Sequence, residues 1–228
     1  MEAAKPNIIA CIPSYDEEHT IASVIVKAQK HVDKIIVCDD GSKDMTAEIA
    51  EKLGAVVVKH DRNRGYGAAL ATLFEKAREV DADIMVTLDG DGQHNPDDIW
   101  PVVRPIVRKY ADVVVGSRLK NPNGMPWYRI LGIWGLNIIT AIFFWVWSTD
   151  SQSGLRAFSK KAIKLIDIQS DRMEVSSEFF YEIGRHQLKK IEVPISSIYT
   201  KYSLLKGQKN VNALRIISKL IYRRFFSK

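Results

Sequence analysis

Cysteine is scarce: Cys11 and Cys38 are the only two in 228 residues. Both sit inside apolar, strand-like runs, so a disulfide framework is excluded. Two isolated cysteines also give too few partners for a metal or redox centre, and they read as reduced, buried thiols of a cytosolic protein. Acidic residues are missing from Val193 to Lys228, a stretch with eight Lys or Arg. The rest of the chain carries 25 basic and 27 acidic residues, so the net charge of +6 belongs to the C-terminus. Such a patch fits phosphate groups, anionic lipid or nucleic acid. Charge of either sign is missing from Ile130 to Trp147, and four of the five tryptophans lie between Trp127 and Trp147. There is no internal repeat, no low-complexity tract and no apolar run at the N-terminus of the kind that marks a secretory signal.

What is present is globular: 46% hydrophobic and 26% charged residues. The length suits one large α/β domain spanning residues 1–228. Apolar strand candidates fall at Ile8–Ile12, Lys34–Cys38, Ala55–Lys59, Ile84–Leu88 and Val113–Gly116. Amphipathic helix candidates fall between them, at about Glu18–Lys30, Thr46–Leu53, Ala68–Val80 and Pro96–Tyr110, with Asp44 as the N-cap of the second. This alternation predicts a doubly wound, mostly parallel sheet with helices on both faces. Ligands in such sheets bind beyond the carboxyl ends of the strands.

Each strand candidate is followed by a polar turn. Pro13-Ser14-Tyr15-Asp16-Glu17 follows the first and Asp39-Asp40-Gly41-Ser42 the second. Asn63-Arg64-Gly65-Tyr66-Gly67, Asp89-Gly90-Asp91-Gly92-Gln93 and Gly116-Ser117-Arg118 follow the next three. All five fall at one end of the sheet, which argues for a single site there. In the fourth, alternate positions of an extended segment point the same way, so Asp89, Asp91 and Gln93 can face one ligand. Hard oxygen donors on one side, with room left for phosphates and waters, is how Mg²⁺ or Mn²⁺ is held.

The uncharged segment meets the lower length for a membrane span, but Gly132, Gly135, Asn137 and Thr140 interrupt it. A crossing would also separate Asp91 from the segment Asp150–Gly154. The expectation is therefore a helical hairpin at about 127–149 lying in a membrane interface, with a buried core helix as the alternative. At about 211–226, Leu214, Ile217, Ile221 and Phe225 make an apolar stripe beside Arg215, Lys219 and Arg223. That pattern is a basic amphipathic helix, for a membrane surface, a partner groove or packing on the domain.

These stretches, with Asp89-Gly90-Asp91-Gly92-Gln93-His94 and Ser153-Gly154-Leu155-Arg156-Ala157-Phe158 in order, resemble the family 2 glycosyltransferases. The resemblance is to the branch acting on polyprenyl phosphates, which includes dolichyl-phosphate mannose synthase. It implies a GT-A fold and inverting transfer of one sugar from a nucleotide donor. It places Pro13, Tyr15, Glu17, Cys38, Asp39, Asp40, Gly65, Asp89, Gly90 and Asp91 at the nucleotide-sugar. It places Mg²⁺ or Mn²⁺ on Asp89, Asp91 and Gln93, and leaves His94 without a ligand role. A lipid phosphate oxygen is already anionic, so it needs a cationic clamp rather than a base. Arg118, Arg129, Arg156, Lys201 and Lys209 are the candidates. Asp150 is a base if the acceptor is a hydroxyl; with a phosphate it orients Arg156 or the acceptor loop. The loop Tyr199–Asn210 only partly follows the family pattern, which leaves the register of Lys201, Lys206 and Lys209 open.

The implied reaction joins a sugar from GDP-mannose, UDP-glucose or UDP-N-acetylglucosamine to a polyprenyl or dolichyl phosphate. The expected setting is the cytoplasmic face of a membrane, reached through interfacial helices or a membrane-protein partner. Transfer to a glycan or lipid hydroxyl is the second reading. Binding of nucleic acid through the basic tail is disfavoured because the tail has no such motif. A silent scaffold would have no use for Asp91.

Overall fold

The computed structural model describes residues 5–122, 125, 127–144 and 146–198. The helix expected at about 211–226, and the lysines Lys201 and Lys209, lie outside the described residues.

Strand β1 (Ile8–Ser14) is buried along its whole length. Its side chains alternate between two cores, as a pleated strand covered on both faces must. Ile8, Ala10 and Ile12 point into one cluster with Ile21, Ile25, Val102 and Ile106. Ile9 and Cys11 point into the other with Leu70, Phe74, Phe158 and Phe179. Around β1 run α1 (Ile21–Ala28), β2 (Lys34–Asp39), α2 (Thr46–Lys52), β3 (Val56–Lys59), α3 (Tyr66–Glu79) and β4 (Ile84–Thr87). After a 3₁₀ turn at Pro96–Asp98 come α4 (Ile99–Val107), β5 (Val113–Ser117) and α5 (Trp127–Phe144). The described part closes with β6 (Arg156–Ser159), α6 (Lys160–Leu165), α7 (Val175–Arg185) and β7 (Lys190–Pro194).

The seven strands form one sheet in the order β3-β2-β1-β4-β6-β5-β7. Only β6 runs against its neighbours. The order reverses at β1, whose neighbours are β2 and β4, both parallel to it. That reversal opens a crevice at the carboxyl edge, the usual ligand site of an open α/β sheet. Because β6 is antiparallel, its first residue, Arg156, reaches the same edge as the last residues of β4 and β5. It is in register with Thr87 on one side and Val115 on the other.

The five expected strands and four expected helices are all present, and β6 and β7 complete the sheet. The expected hairpin at 127–149 is instead one helix, α5. Gly132 and Gly135 face open space, where a Cβ would meet nothing within 4 Å, so neither marks a turn. Asn137 and Thr140 are buried and bond inward. No helix among the described residues is long and apolar enough to cross a membrane.

Candidate active site

The first side of the crevice is the turn after β1. Tyr15 is 37% exposed, and Asp16 takes a left-handed backbone with φ 52°. Two hydroxyls of the β2–α2 turn hold this bend: Asp16 N donates to Ser42 Oγ (2.9 Å) and Glu17 N to Thr46 Oγ1 (2.7 Å). The N-cap of α2 is Met45 rather than the expected Asp44, which sits one residue earlier and accepts from Thr46 N (3.0 Å). Pro13 is buried in β1.

The two acidic residues ending β2 have different partners. Asp39 accepts from the backbone N and hydroxyl of Ser42. Asp40 accepts from Arg64 N (2.9 Å) and Gly65 N (2.7 Å) and pairs with His60 Nδ1 (2.7 Å). Asp40 therefore shapes the 60–65 loop, and both its oxygens are engaged within the protein. Cys38 is fully buried on the α3 side of the sheet, and burial with the charges of Asp40 and Asp39 pushes its thiol up to about 12. Its side chain is core, not ligand surface. Gly65 has φ 110°, and a Cβ there would collide with the Asp171 carbonyl. The glycine is required for packing against the 170–172 loop, a reason the sequence does not disclose.

The turn after β4 forms the floor. Asp89 Oδ1 accepts from the Tyr66 hydroxyl (2.8 Å), and Oδ2 lies 3.3 Å from His94 Nε2. Burial pushes the Asp89 carboxyl up, but hydrogen bonds from His94 and Tyr66 and the charges of His94 and Arg118 outweigh it and hold it below the usual range. Asp91 is the opposite case. Burial and the neighbouring Asp89 charge raise it, against bonds from the Gln93 backbone (2.9 Å) and side chain (2.5 Å). Of this pair, Asp91 is thus the carboxylate whose charge is less compensated. Gly90 fits because a Cβ there would press on Ser14 Oγ, and its carbonyl accepts from Thr20 Oγ1 (2.7 Å). A Cβ at Gly154 would strike the Asp89 carboxylate.

Gln93 donates through Nε2 to Asp91, while its Oε1 accepts from Arg129 Nη1 (3.3 Å). The amide oxygen that a cation would need is turned toward the arginine. Among the described residues, no three His, Cys, Asp or Glu side chains group to hold a metal. The donor set nevertheless fits a hard divalent ion: it offers one or two carboxylates, carries uncompensated charge at Asp91, and leaves the remaining positions to phosphate oxygens and water.

The far side is cationic. Asp150 is completely buried and grips Arg118 through Nε–Oδ2 (2.7 Å) and Nη2–Oδ1 (2.8 Å), with Arg118 N also on Oδ2 (2.9 Å). The fork fixes the guanidinium plane, which only arginine can do. Asp150 therefore orients Arg118 rather than Arg156, and a buried, triply bonded carboxylate is poorly placed to act as a base. Arg156 donates from Nη2 to Ser151 O (2.8 Å), and its guanidinium carbon lies 4.6 Å from the centre of the Phe179 ring. Among the described residues, its Nε and the hydroxyls of Ser14 and Ser153 are buried with no hydrogen-bond partner. Burial lowers the guanidinium's proton affinity, against the charges of Asp150 and Asp89. Sequence reasoning assigned no role to Tyr66, Thr20 or Asn137, and put His94 beside the site while denying it only a ligand role. Tyr66 and His94 lie within or beside quoted motifs, but nothing local says that both reach Asp89.

The chain matches the description "Glycosyl transferase family 2" over residues 9–166. It is 40% identical to the UDP-N-acetylglucosamine–dolichyl-phosphate N-acetylglucosaminyltransferase of Methanococcus voltae, over 94% of this chain and 94% of that one. It is 28% identical to the undecaprenyl-phosphate mannosyltransferase of Micrococcus luteus, over 84% and 83%. Among solved structures it resembles glucosyl-3-phosphoglycerate synthase of Mycobacterium tuberculosis in complex with Mn²⁺, UDP and phosphoglyceric acid. That likeness has a TM-score of 0.71 at 20% identity and covers 97% of this chain and 79% of that one. A mostly parallel seven-stranded sheet of GT-A type, with a carboxylate pair at its crevice, thus accompanies a match over most of the chain, and the protein belongs to glycosyl transferase family 2.

Proposed function

We propose that the enzyme transfers one sugar, with inversion, from a nucleotide-sugar to a polyprenyl phosphate at a membrane surface. The observation that carries this reading is the Arg118–Asp150 fork facing Asp89. It is a fixed cation beside the proposed diphosphate site, and Asp150, the carboxylate offered as a base, is buried. A hydroxyl acceptor needs a base to become a good nucleophile; a phosphate oxygen is already charged and needs a positive seat. The names of the Methanococcus and Micrococcus relatives support the same acceptor class.

In this reading the nucleoside lies over the β1 and β2 turns, with Pro13, Tyr15, Glu17, Asp39 and Asp40 around it. Asp91, with Asp89 behind it, would hold Mg²⁺ or Mn²⁺ with the diphosphate. That the Mycobacterium enzyme of like fold is seen with Mn²⁺ and UDP supports a divalent cation as part of this reading. A divalent cation there would offset the charge that builds on the departing diphosphate. Tyr66 stays a phenol, because burial and Asp89 raise it well above its usual value, and so keeps donating to Asp89. Arg118 and Arg156, with Arg129 at the rim, seat the acceptor phosphate. One of its oxygens attacks the anomeric carbon from the face opposite the diphosphate. The new carbon–oxygen bond forms as the bond to the diphosphate breaks, and the leaving oxygen takes the electron pair. No proton has to be removed from the nucleophile.

The outward face of α5 supports a lipid surface as the setting. Trp127, Tyr128, Leu131, Trp134, Ile138 and Ile142 are exposed along it, Trp127 to 73%. Tryptophan and tyrosine favour the headgroup level. We place the enzyme peripherally on the cytoplasmic face, where nucleotide-sugars are found. Offering a short polyprenyl phosphate and the matching polyprenol side by side tests the reading: labelled product from the phosphate alone is expected, and product from the alcohol would overturn it.

A further inference from the structure

Helix α5 is built inside out. Among its described residues, Trp127, Tyr128, Leu131, Trp134, Ile138 and Ile142 face solvent, and the buried ones are Ile133 with the polar Asn137 and Thr140. A buried amide is costly unless all its hydrogen-bonding groups are used. Asn137, 1% exposed, uses both ends on one loop. Its Nδ2 donates to Thr149 O (2.6 Å), and its Oδ1 accepts from Ser151 N (2.8 Å). The residue between these two bonds is Asp150, which grips Arg118. Ser151 in turn offers its carbonyl to Arg156. Both arginines at the acceptor side therefore hang from backbone that Asn137 holds. The opposite side of the loop is pinned by β7, where Glu192 accepts from Thr149 N (3.1 Å) and Lys190 donates to Trp147 O (2.6 Å). β7 is fixed in the sheet, so α5 is the wall of this loop that also faces solvent.

We propose that Asn137 is a positioning residue tying the outward apolar face of α5 to the acceptor clamp, so that seating α5 on a lipid surface sets Arg118 and Arg156. The proposal rests on the reading of those arginines as the acceptor seat. The occupant of the apolar face is a lipid surface rather than a second copy of the chain. Its exposed aromatics, Trp127, Tyr128 and Trp134, with Trp147 beside Trp134 just past the helix end, are of the interfacial type. The sequence beyond Val193 carries eight Lys or Arg and no acid, complementary to anionic headgroups.

The test compares wild type with Asn137→Ala, Asn137→Asp and the surface pair Leu131→Ser/Trp134→Ser. Each is assayed with a short polyprenyl phosphate in solution and with a long one in phosphatidylcholine–phosphatidylglycerol vesicles. Nucleoside diphosphate binding is titrated alongside, and sedimentation reports self-association. Asn137→Ala is expected to raise KM for the short acceptor about tenfold, while nucleoside diphosphate affinity and donor KM stay within about twofold. Asn137→Asp keeps the acceptor for Ser151 N and loses the donor to Thr149 O, so it should fall between; it also serves if the alanine variant does not fold. The surface pair should raise KM for the vesicle acceptor more than for the short one. Equal shifts in donor and acceptor KM, or none, in the Asn137 variants would overturn the proposal. So would a surface pair that abolishes self-association without changing vesicle binding, which would make the face a contact between copies. If wild type transfers nothing to either lipid phosphate, the acceptor reading itself fails and takes the proposal with it, an outcome visible without any variant.

Discussion

At the residue scale the site turns on two carboxylates with opposite surroundings. Asp89 is held below its usual value, so its contribution to stability is present above the ordinary carboxylate range and is lost as pH falls through its folded value. Asp91 is raised, so its contribution is present below the ordinary range and is lost as pH rises through its folded value. At neutral pH the metal-free protein therefore carries a strained Asp91. Asp91→Asn is expected to melt higher without metal, by about 2–4 °C for each ~1 kcal/mol relieved, and to lose about 100-fold or more in turnover. Thermal melting beside a rate assay checks both, and a variant that melts lower and keeps its rate contradicts the assignment. Asp150 behaves differently. Removing it as Asp150→Ala strands Arg118 beside a cavity and should cost about 3–5 kcal/mol in urea unfolding. The acidic run after β4 was legible because its chemistry is local, two carboxylates one residue apart behind an apolar strand. The division between Asp39 and Asp40 was not legible, because it depends on loop amides some 25 residues further on.

At the element scale, the parallel strands and their helices were readable from apolar periodicity. Strand β6 was not, since four residues inside a turn-rich segment carry little pattern, and its antiparallel pairing is what delivers Arg156 to the site. Helix α5 was misread as a hairpin because its glycines and polar residues look like breaks. They are its open face and its buried face. Its exposed stripe gives a direct expectation: Leu131→Ser/Trp134→Ser should weaken partition onto anionic vesicles several-fold, since each lost apolar side chain removes about 1.5–3 kcal/mol of burial at most. A flotation assay reads this. Gly154→Ala tests how closely the 150–154 loop approaches Asp89. Nucleoside diphosphate affinity in the presence of Mn²⁺ should drop about tenfold while the fold survives, because the added methyl meets a carboxylate and not the core.

At the scale of the whole molecule, the sheet reversal at β1 and, among the described strands, the one antiparallel strand β6 gather residues from Pro13 to Arg156 at one edge. In the proposed reading the donor-side carboxylates come from the first hundred residues and the acceptor-side Arg156 from beyond residue 150, so donor and acceptor binding should be separable. Mn²⁺ with a nucleoside diphosphate should stabilise the protein by about 2.7 kcal/mol at a hundredfold excess over Kd, with no acceptor present. The central claim is tested most directly by offering labelled GDP- and UDP-sugars to wild type and Asp91→Asn with a short polyprenyl phosphate, in Mg²⁺ or Mn²⁺ and again in EDTA. The account predicts labelled lipid phosphate from wild type with a cation, close to none in EDTA and close to none from the variant. Undiminished lipid product in EDTA, or from Asp91→Asn, would contradict it.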